Sequence, residues 1–319
     1  MFLNKIRSGE SGILTYGITP PKKSETNPER IAEIAAKTIA RIMPLDIDAL
    51  IVYDVQDESA RTSVERPFPY ITAWDPFEFA SGYLQALPLP KIIYRPAGKF
   101  SPEELSAWVD DLHQHQFYPV FVGIPAPDFA VKTTLTEAYK IWSKNSSSSV
   151  VGAVTIPERH AVLNDEDKRI LEKASWGVSY FISQCVFNID YARKMIDDLG
   201  CTCKEQSTAI PTMIFTLTAC GSLKTLEFMD WLGIHIPDEM KEELKAAENM
   251  LDKSVGVCLD IAAEIITYCT ERSIPFGFNI ESVAIRKDEI EASIHMVNRI
   301  GEMLQEQGIR KKKAIPVTE

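Results

Sequence analysis

The sequence predicts an α/β fold, a (β/α)8 barrel, on three observations. Eight short apolar runs rich in β-branched residues alternate with longer amphipathic segments along the chain. Each run is largely apolar on both faces, as a strand of a parallel sheet covered by helices must be. Two long excursions follow the second and seventh runs, where barrel loops commonly shape a site. At 319 residues the chain suits a single barrel domain over 1–319 with a C-terminal tail from about 306.

The first strand is expected at 12–18. Asn27-Pro28 then offers a cap and a first-turn proline to a helix whose apolar face is Ile31, Ile34, Ala35, Ile39 and Ile42. The second strand, 48–54, leads into residues 57–90, rich in proline and aromatics. After the third, 91–95, Ser101-Pro102-Glu103-Glu104 reads as a capping box opening onto Leu105, Trp108, Val109 and Leu112. The fourth is expected at 118–123, and the polar stretch 145–149 is too short for an interdomain linker. The fifth, 150–156, and the sixth, 178–184, follow. The seventh, 210–217, precedes one or two extra helices within 218–252, the second opened by Ile236-Pro237-Asp238-Glu239. Helices near 253–268 and 288–303 flank the eighth strand, 274–280.

Hydrophobic content of 45% and charged content of 25% are those of an ordinary globular protein. A net charge of −11 argues against a nucleic acid or an anionic membrane as partner. No apolar run approaches a membrane span, and the N-terminus has no signal-peptide pattern. The six cysteines are diluted through the chain, so a reducing cytoplasm is expected. Cys201-Thr202-Cys203 is the one close pair, read as a loop with two free thiols, and no metal is expected. The basic run Arg310-Lys311-Lys312-Lys313 reads as a solvated end that favours the preceding helix dipole.

Candidate site residues are those at the carboxyl ends of the strands, where barrels carry their chemistry. Gln184 interrupts the apolar sixth strand with an amide, which offers one acceptor and two donors. Asp54, Glu158 and Glu281 place carboxyls after the second, fifth and eighth strands, and Tyr53 or Asp54 could supply a proton. Arg95 ends the third strand with a guanidinium that can hold a carboxylate or a phosphate, or form a surface ion pair. Asn279 lies within the eighth strand, and Phe187, Phe215 and Phe278 offer ring faces or core packing. There is no HExxH, Walker, GxGxxG or GxSxG motif.

Several segments together resemble the methylenetetrahydrofolate reductases, from about residue 12 to 305 and most strongly from 150 onward. Val154-Thr155-Ile156-Pro157-Glu158-Arg159-His160 resembles that family's fifth-strand Pro-Glu-x-His. Glu172-Lys173-Ala174-Ser175-Trp176-Gly177 resembles its following helix end. Ser183-Gln184-Cys185-Val186-Phe187-Asn188 resembles its Thr-Gln-x-Phe-Phe-Asp segment, and Ile234-His235-Ile236-Pro237 keeps the family order. The resemblance implies a barrel that binds 5-methyl- or 5,10-methylenetetrahydrofolate at its C-terminal mouth. Gln184 then meets the pterin, with Asp54, Glu281, Asn279, Arg95 and Phe187 around it. It also implies FAD, with His160, Glu158 and Lys173 as its contacts, and NAD(P)H or a protein as electron donor.

The chain departs from the family at four points. Gly17 stands where the family has its acid, in Tyr16-Gly17-Ile18-Thr19-Pro20-Pro21. Val122-Gly123-Ile124-Pro125 replaces Arg-Gly-Asp, with Pro125 at the Asp; Lys91 replaces a His, and Ile156 a flavin-contacting Tyr. These departures leave no assigned catalytic residue. Three readings follow: a reductase with an altered acid, a folate-binding or methyl-folate delivery protein without flavin, and a barrel turned to another ligand or to corrinoid-linked methyl transfer. A homo-oligomer is compatible with each.

Overall fold

The structure, a computed structural model, describes residues 2–59, 62–123, 130–145, 150–284 and 286–311. Pro125, Ser146 to Ser149, and Lys312 and Lys313 lie outside the described residues. Eight parallel strands close in sequential order: β1 (Ile13–Ile18), β2 (Ala49–Val52), β3 (Lys91–Pro96), β4 (Tyr118–Val122), β5 (Gly152–Thr155), β6 (Tyr180–Cys185), β7 (Thr212–Thr218) and β8 (Phe276–Glu281). This is the predicted (β/α)8 barrel, with strand limits within about two residues of the expected ones.

Alternation along the strands builds two cores. Ile13, Ile51, Ile92, Val120, Tyr180, Ile182 and Ile214 point inward and fill the barrel. Leu14, Leu50, Ile93, Phe121, Phe181 and Phe215 point outward, against the helices. Tyr180 fits the interior because residue 152 is glycine: a Cβ there would lie 2.6 Å from the tyrosine ring. Helix α1 (Phe2–Ser8) plugs the amino-terminal end, with the Phe2 ring edge-on to Tyr180 at 5.4 Å.

The helix signals act as read. Asn27 caps α2 (Pro28–Ile42) through the Glu29 amide at 2.9 Å. The excursion after β2 contains a short helix, α3 (Pro76–Tyr83), capped by Asp75. Ser101 and Glu104 form the reciprocal capping box of α4 (Pro102–His115). Helix α5 (Leu135–Asn145) follows β4, α6 (Pro157–Leu163) and α7 (Glu166–Ser175) follow β5, and α8 (Ile189–Glu205) follows β6. The extra helices after β7 are α9 (Leu223–Trp231) and α10 (Asp238–Ala246), ahead of α11 (Met250–Glu271); α12 (Lys287–Glu306) completes the ring.

Two expectations need correction. Cys201 and Cys203 lie in the last turns of α8, one exposed and one buried, because the apolar face of that helix runs through Leu199 to Cys203. Arg310 is not solvated. It is 4% exposed, donates to the Gly12 carbonyl at 2.9 Å and the Asp46 carbonyl at 2.8 Å, and pairs with Asp48. The chain end therefore ties α12 to the entries of β1 and β2. No helix among the described residues is long and apolar enough to cross a membrane.

Candidate functional site at the barrel mouth

The carboxyl ends of β8, β2, β6 and β7 bring one polar cluster to the floor of the mouth. Asn279 is its hub: its amide donates to the Tyr53 hydroxyl at 2.8 Å, to Thr216 at 3.3 Å and to Glu281 at 3.3 Å. Its oxygen accepts from the Thr15 hydroxyl at 3.1 Å. Asn279 is fully buried, while Glu281 and Tyr53 keep partly exposed faces toward the mouth. The Tyr53 ring packs edge-on to Tyr94 at 4.7 Å.

Cys185 joins this cluster through an irregularity in β6. Ile182 pairs with Ile214 but Cys185 pairs with Thr216, so one extra residue is inserted on the β6 side. The Ser183 hydroxyl holds the bulge by accepting from the Thr216 amide at 2.9 Å and donating to the Gln184 carbonyl at 2.7 Å. The Cys185 thiol then donates to Glu281 at 3.4 Å. Burial dominates the acidity of the whole cluster. It raises the Glu281 carboxyl, against the opposing hydrogen bonds of Tyr53, Cys185 and Asn279. Burial, followed by the neighbouring Glu281 charge, also keeps the Tyr53 and Tyr94 hydroxyls and the Cys185 thiol protonated to higher pH than usual.

Gly17 lies against this cluster. A Cβ at 17 would meet the Tyr53 ring at 2.7 Å and the Glu281 Cβ at 3.2 Å. The space a longer residue would occupy on β1 is taken by side chains from β2 and β8.

A second group spans β5, β6 and the loop after α9. The Gln184 amide donates to the Leu232 carbonyl at 3.0 Å, and its own oxygen has no partner among the described residues. Asn188 meets the His235 ring at 3.1 Å. Glu158 has one buried carboxylate oxygen without a partner among the described residues, and burial raises its carboxyl to about 7. Hydrogen bonds from the backbone at Glu158 and His235 pull the other way.

The remaining candidates are committed elsewhere. Arg95 points outward, sandwiched between Phe100 at 4.7 Å and Trp108 at 4.4 Å, and pairs with Asp75 at 2.6 Å. Asp54 is 3.9 Å from that guanidinium and bonded by Gln56, yet burial still lifts its carboxyl to about 6. Phe187, Phe215 and Phe278 are buried in the layer between sheet and helices. His160 is fully buried: Nε2 lies 2.8 Å from Asp198, and Nδ1 accepts the Glu166 amide at 3.2 Å. The Lys173 ammonium donates to the Val154 carbonyl at 2.8 Å, and burial lowers it to about 8. Arg159 is paired with buried Glu166 at 2.6 Å.

Sequence reasoning missed Cys185, Tyr94, Asp75 and the role of His235. Strand alternation carried part of the signal: with Ile92 and Tyr94 inside, Arg95 must face out. The Cys185 placement depends on the bulge, which leaves no mark in composition. Among the described residues no group of three or more His, Cys, Asp or Glu side chains is placed to hold a metal.

No protein-family model and no curated protein matches the chain. Among solved structures, it is similar to an uncharacterised protein from Clostridium thermocellum that binds two copies of 5-methyl-5,6,7,8-tetrahydrofolic acid. The two are 42% identical over 95% of this chain and 100% of that one, with a TM-score of 0.83. An EDTA monooxygenase from a Chelativorans species is 11% identical over 95% of each chain, with a TM-score of 0.53, a likeness of fold alone.

Proposed function

The chain belongs to the family of that Clostridium thermocellum protein, and from this premise we propose that it binds a reduced folate at the C-terminal mouth of its barrel. The observation that carries the reading is the carboxyl of Glu281 at the floor, steadied by Asn279 and Tyr53 and partly open to the mouth. A pterin presents an amino group and a ring N–H side by side, and a carboxylate is their natural partner. Gln184, whose amide oxygen has no partner among the described residues, supplies a further acceptor. The likeness to methylenetetrahydrofolate reductases in Gln184 and its neighbours belongs to this reading, as does a cytoplasmic location.

The residues assigned to a flavin do not fit that group. His160 has both nitrogens engaged inside the protein, Lys173 is bound to a backbone carbonyl, and Glu158 offers a carboxylate, which does not suit a pyrophosphate. This supports a protein that binds or delivers a methyl-folate. A second reading, reduction of the folate with a nicotinamide as donor, is favoured by one observation. Burial keeps a proton on Glu281 to higher pH, beside the position where Gly17 removes the family acid.

The test is a calorimetric titration of 5-methyltetrahydrofolate into the native protein and Gln184→Leu. Loss of this amide contact should weaken binding by about tenfold or more. Unchanged affinity would remove Gln184 from the pocket. Reduction of 5,10-methylenetetrahydrofolate to 5-methyltetrahydrofolate with NADH or NADPH as hydride donor would select the second reading.

A further inference from the structure

The excursion after β2 and helix α9 meet over the mouth and enclose a cation. The Arg66 guanidinium lies 5.1 Å from the Phe228 ring centroid, 5.2 Å from Trp231 and 5.6 Å from Tyr70. These are cation–π distances. Phe228 and Trp231 are buried and stacked on each other, and Phe68 closes edge-on to Phe228 at 5.3 Å. Trp231 is fixed by donating to the Val64 carbonyl at 3.0 Å. The rings cover the faces of the guanidinium but accept none of its in-plane hydrogen bonds. Arg66 Nε and Nη1 are buried with no hydrogen-bond partner among the described residues. Buried, unpaired donors on a charged group are costly, and an anion binding in the plane would satisfy both. Asp57, on the same excursion, feels the Arg66 charge without bonding to it.

The cage stands between the two sides of the proposed folate site. Trp231 is followed by Leu232, whose carbonyl receives the Gln184 amide. Tyr70 donates to the carbonyl of Val55 at 3.3 Å, the residue after Asp54. A second cation, Lys224, lies 4.8 Å over the Phe68 ring. Arg95, the guanidinium that the sequence offers for a carboxylate or a phosphate, is spent on Asp75.

Resting on the folate reading, we propose that Arg66 is the anchor for the carboxylates of the ligand's glutamyl tail, held by in-plane N–H donors while Phe228, Trp231 and Tyr70 fix the guanidinium. The pterin ring sits on the floor and the tail leaves the barrel past Arg66. Lys224 adds charge at the exit and becomes more important as glutamyl units are added.

The experiment compares native protein, Arg66→Met and Arg66→Lys in titrations with three probes: 5-methyltetrahydrofolate, 6-methyltetrahydropterin, which has no tail, and N-(4-aminobenzoyl)-L-glutamate, which has no pterin. Arg66→Met is expected to weaken 5-methyltetrahydrofolate by about 10- to 100-fold and to leave the tail-less pterin unchanged. Arg66→Lys keeps the charge but not the planar fork, and should fall between the two. Equal affinity of native and Arg66→Met for the whole folate would overturn the proposal. Equal weakening of folate and tail-less pterin would also overturn it, making Arg66 a brace of the excursion. If the native protein bound no folate or pterin, the folate reading would fail by itself. Arg66-dependent binding of aminobenzoylglutamate would then still support the anion site, and its absence would overturn that too.

Discussion

At the scale of single residues, the floor of the mouth is a trade between positions 17, 53 and 281. Glycine at 17 leaves the room that the Tyr53 ring and Glu281 occupy. Gly17→Ala drives a methyl to within 2.7 Å of that ring, and β1 is paired on both sides, so its backbone has little freedom to shift. Overpacking of this kind is expected to cost about 1–3 kcal/mol, read as a lower urea midpoint. Combining it with Tyr53→Ala should recover part of the loss. A Gly17→Ala protein as stable as the native one would show that the ring is free to move aside. The residue types at the site were legible because they interrupt apolar strands: Gln184, Asp54, Glu158 and Glu281 all stand at carboxyl strand ends, as expected from sequence. Their partners were not. That Asn279 is a buried hub and His160 a buried brace depends on contacts hundreds or tens of residues away, which no local pattern contains.

At the scale of elements, the eight strands and the helix caps were legible because periodicity and capping are local. Asn27, Ser101 and Glu104 act where they stand in the sequence. The β6 bulge was hidden, since an apolar run with Gln184 near its end carries no sign of an inserted residue. Its effect is to turn Cys185 toward Glu281, so the family-like segment contributes a thiol as well as an amide. The excursion after β2 was legible only as irregular. In the structure it is pinned to the first loop, with the Trp74 amide donating to the Pro21 carbonyl at 2.9 Å and its indole to the Glu25 carbonyl at 3.0 Å. Pinned there and packed on α9, it forms a wall that carries Arg66.

At the scale of the molecule, the two ends of the barrel have separate tasks. The amino-terminal end is closed by α1 and by Arg310, whose guanidinium joins Gly12, Asp46 and Asp48; Asp48 also accepts the Leu14 amide at 2.9 Å and pairs with Lys5 at 3.2 Å. Removing Arg310 leaves Asp48 with Lys5 alone and takes the donors from the Gly12 and Asp46 carbonyls, so Arg310→Met is expected to destabilise the protein by about 1–3 kcal/mol without changing ligand affinity. A variant with the native urea midpoint would show that the chain end closes nothing. The carboxyl end carries the acid cluster, and its behaviour with pH follows from Glu281. Burial raises the carboxyl in the free protein, while the donor pair of a pterin selects its ionised form. Binding below the free-protein pKa must therefore release a proton. Affinity should rise by up to about tenfold per pH unit and level off once the carboxylate is already ionised.

The most direct measurement is a calorimetric titration of 5-methyltetrahydrofolate across this pH range, with native protein and Glu281→Gln side by side. The account predicts saturable binding by the native protein that tightens as pH rises and releases a proton, and weak binding with a flat pH profile for Glu281→Gln. No saturable binding by the native protein at any pH, or a Glu281→Gln protein that binds as tightly with the same profile, would contradict it.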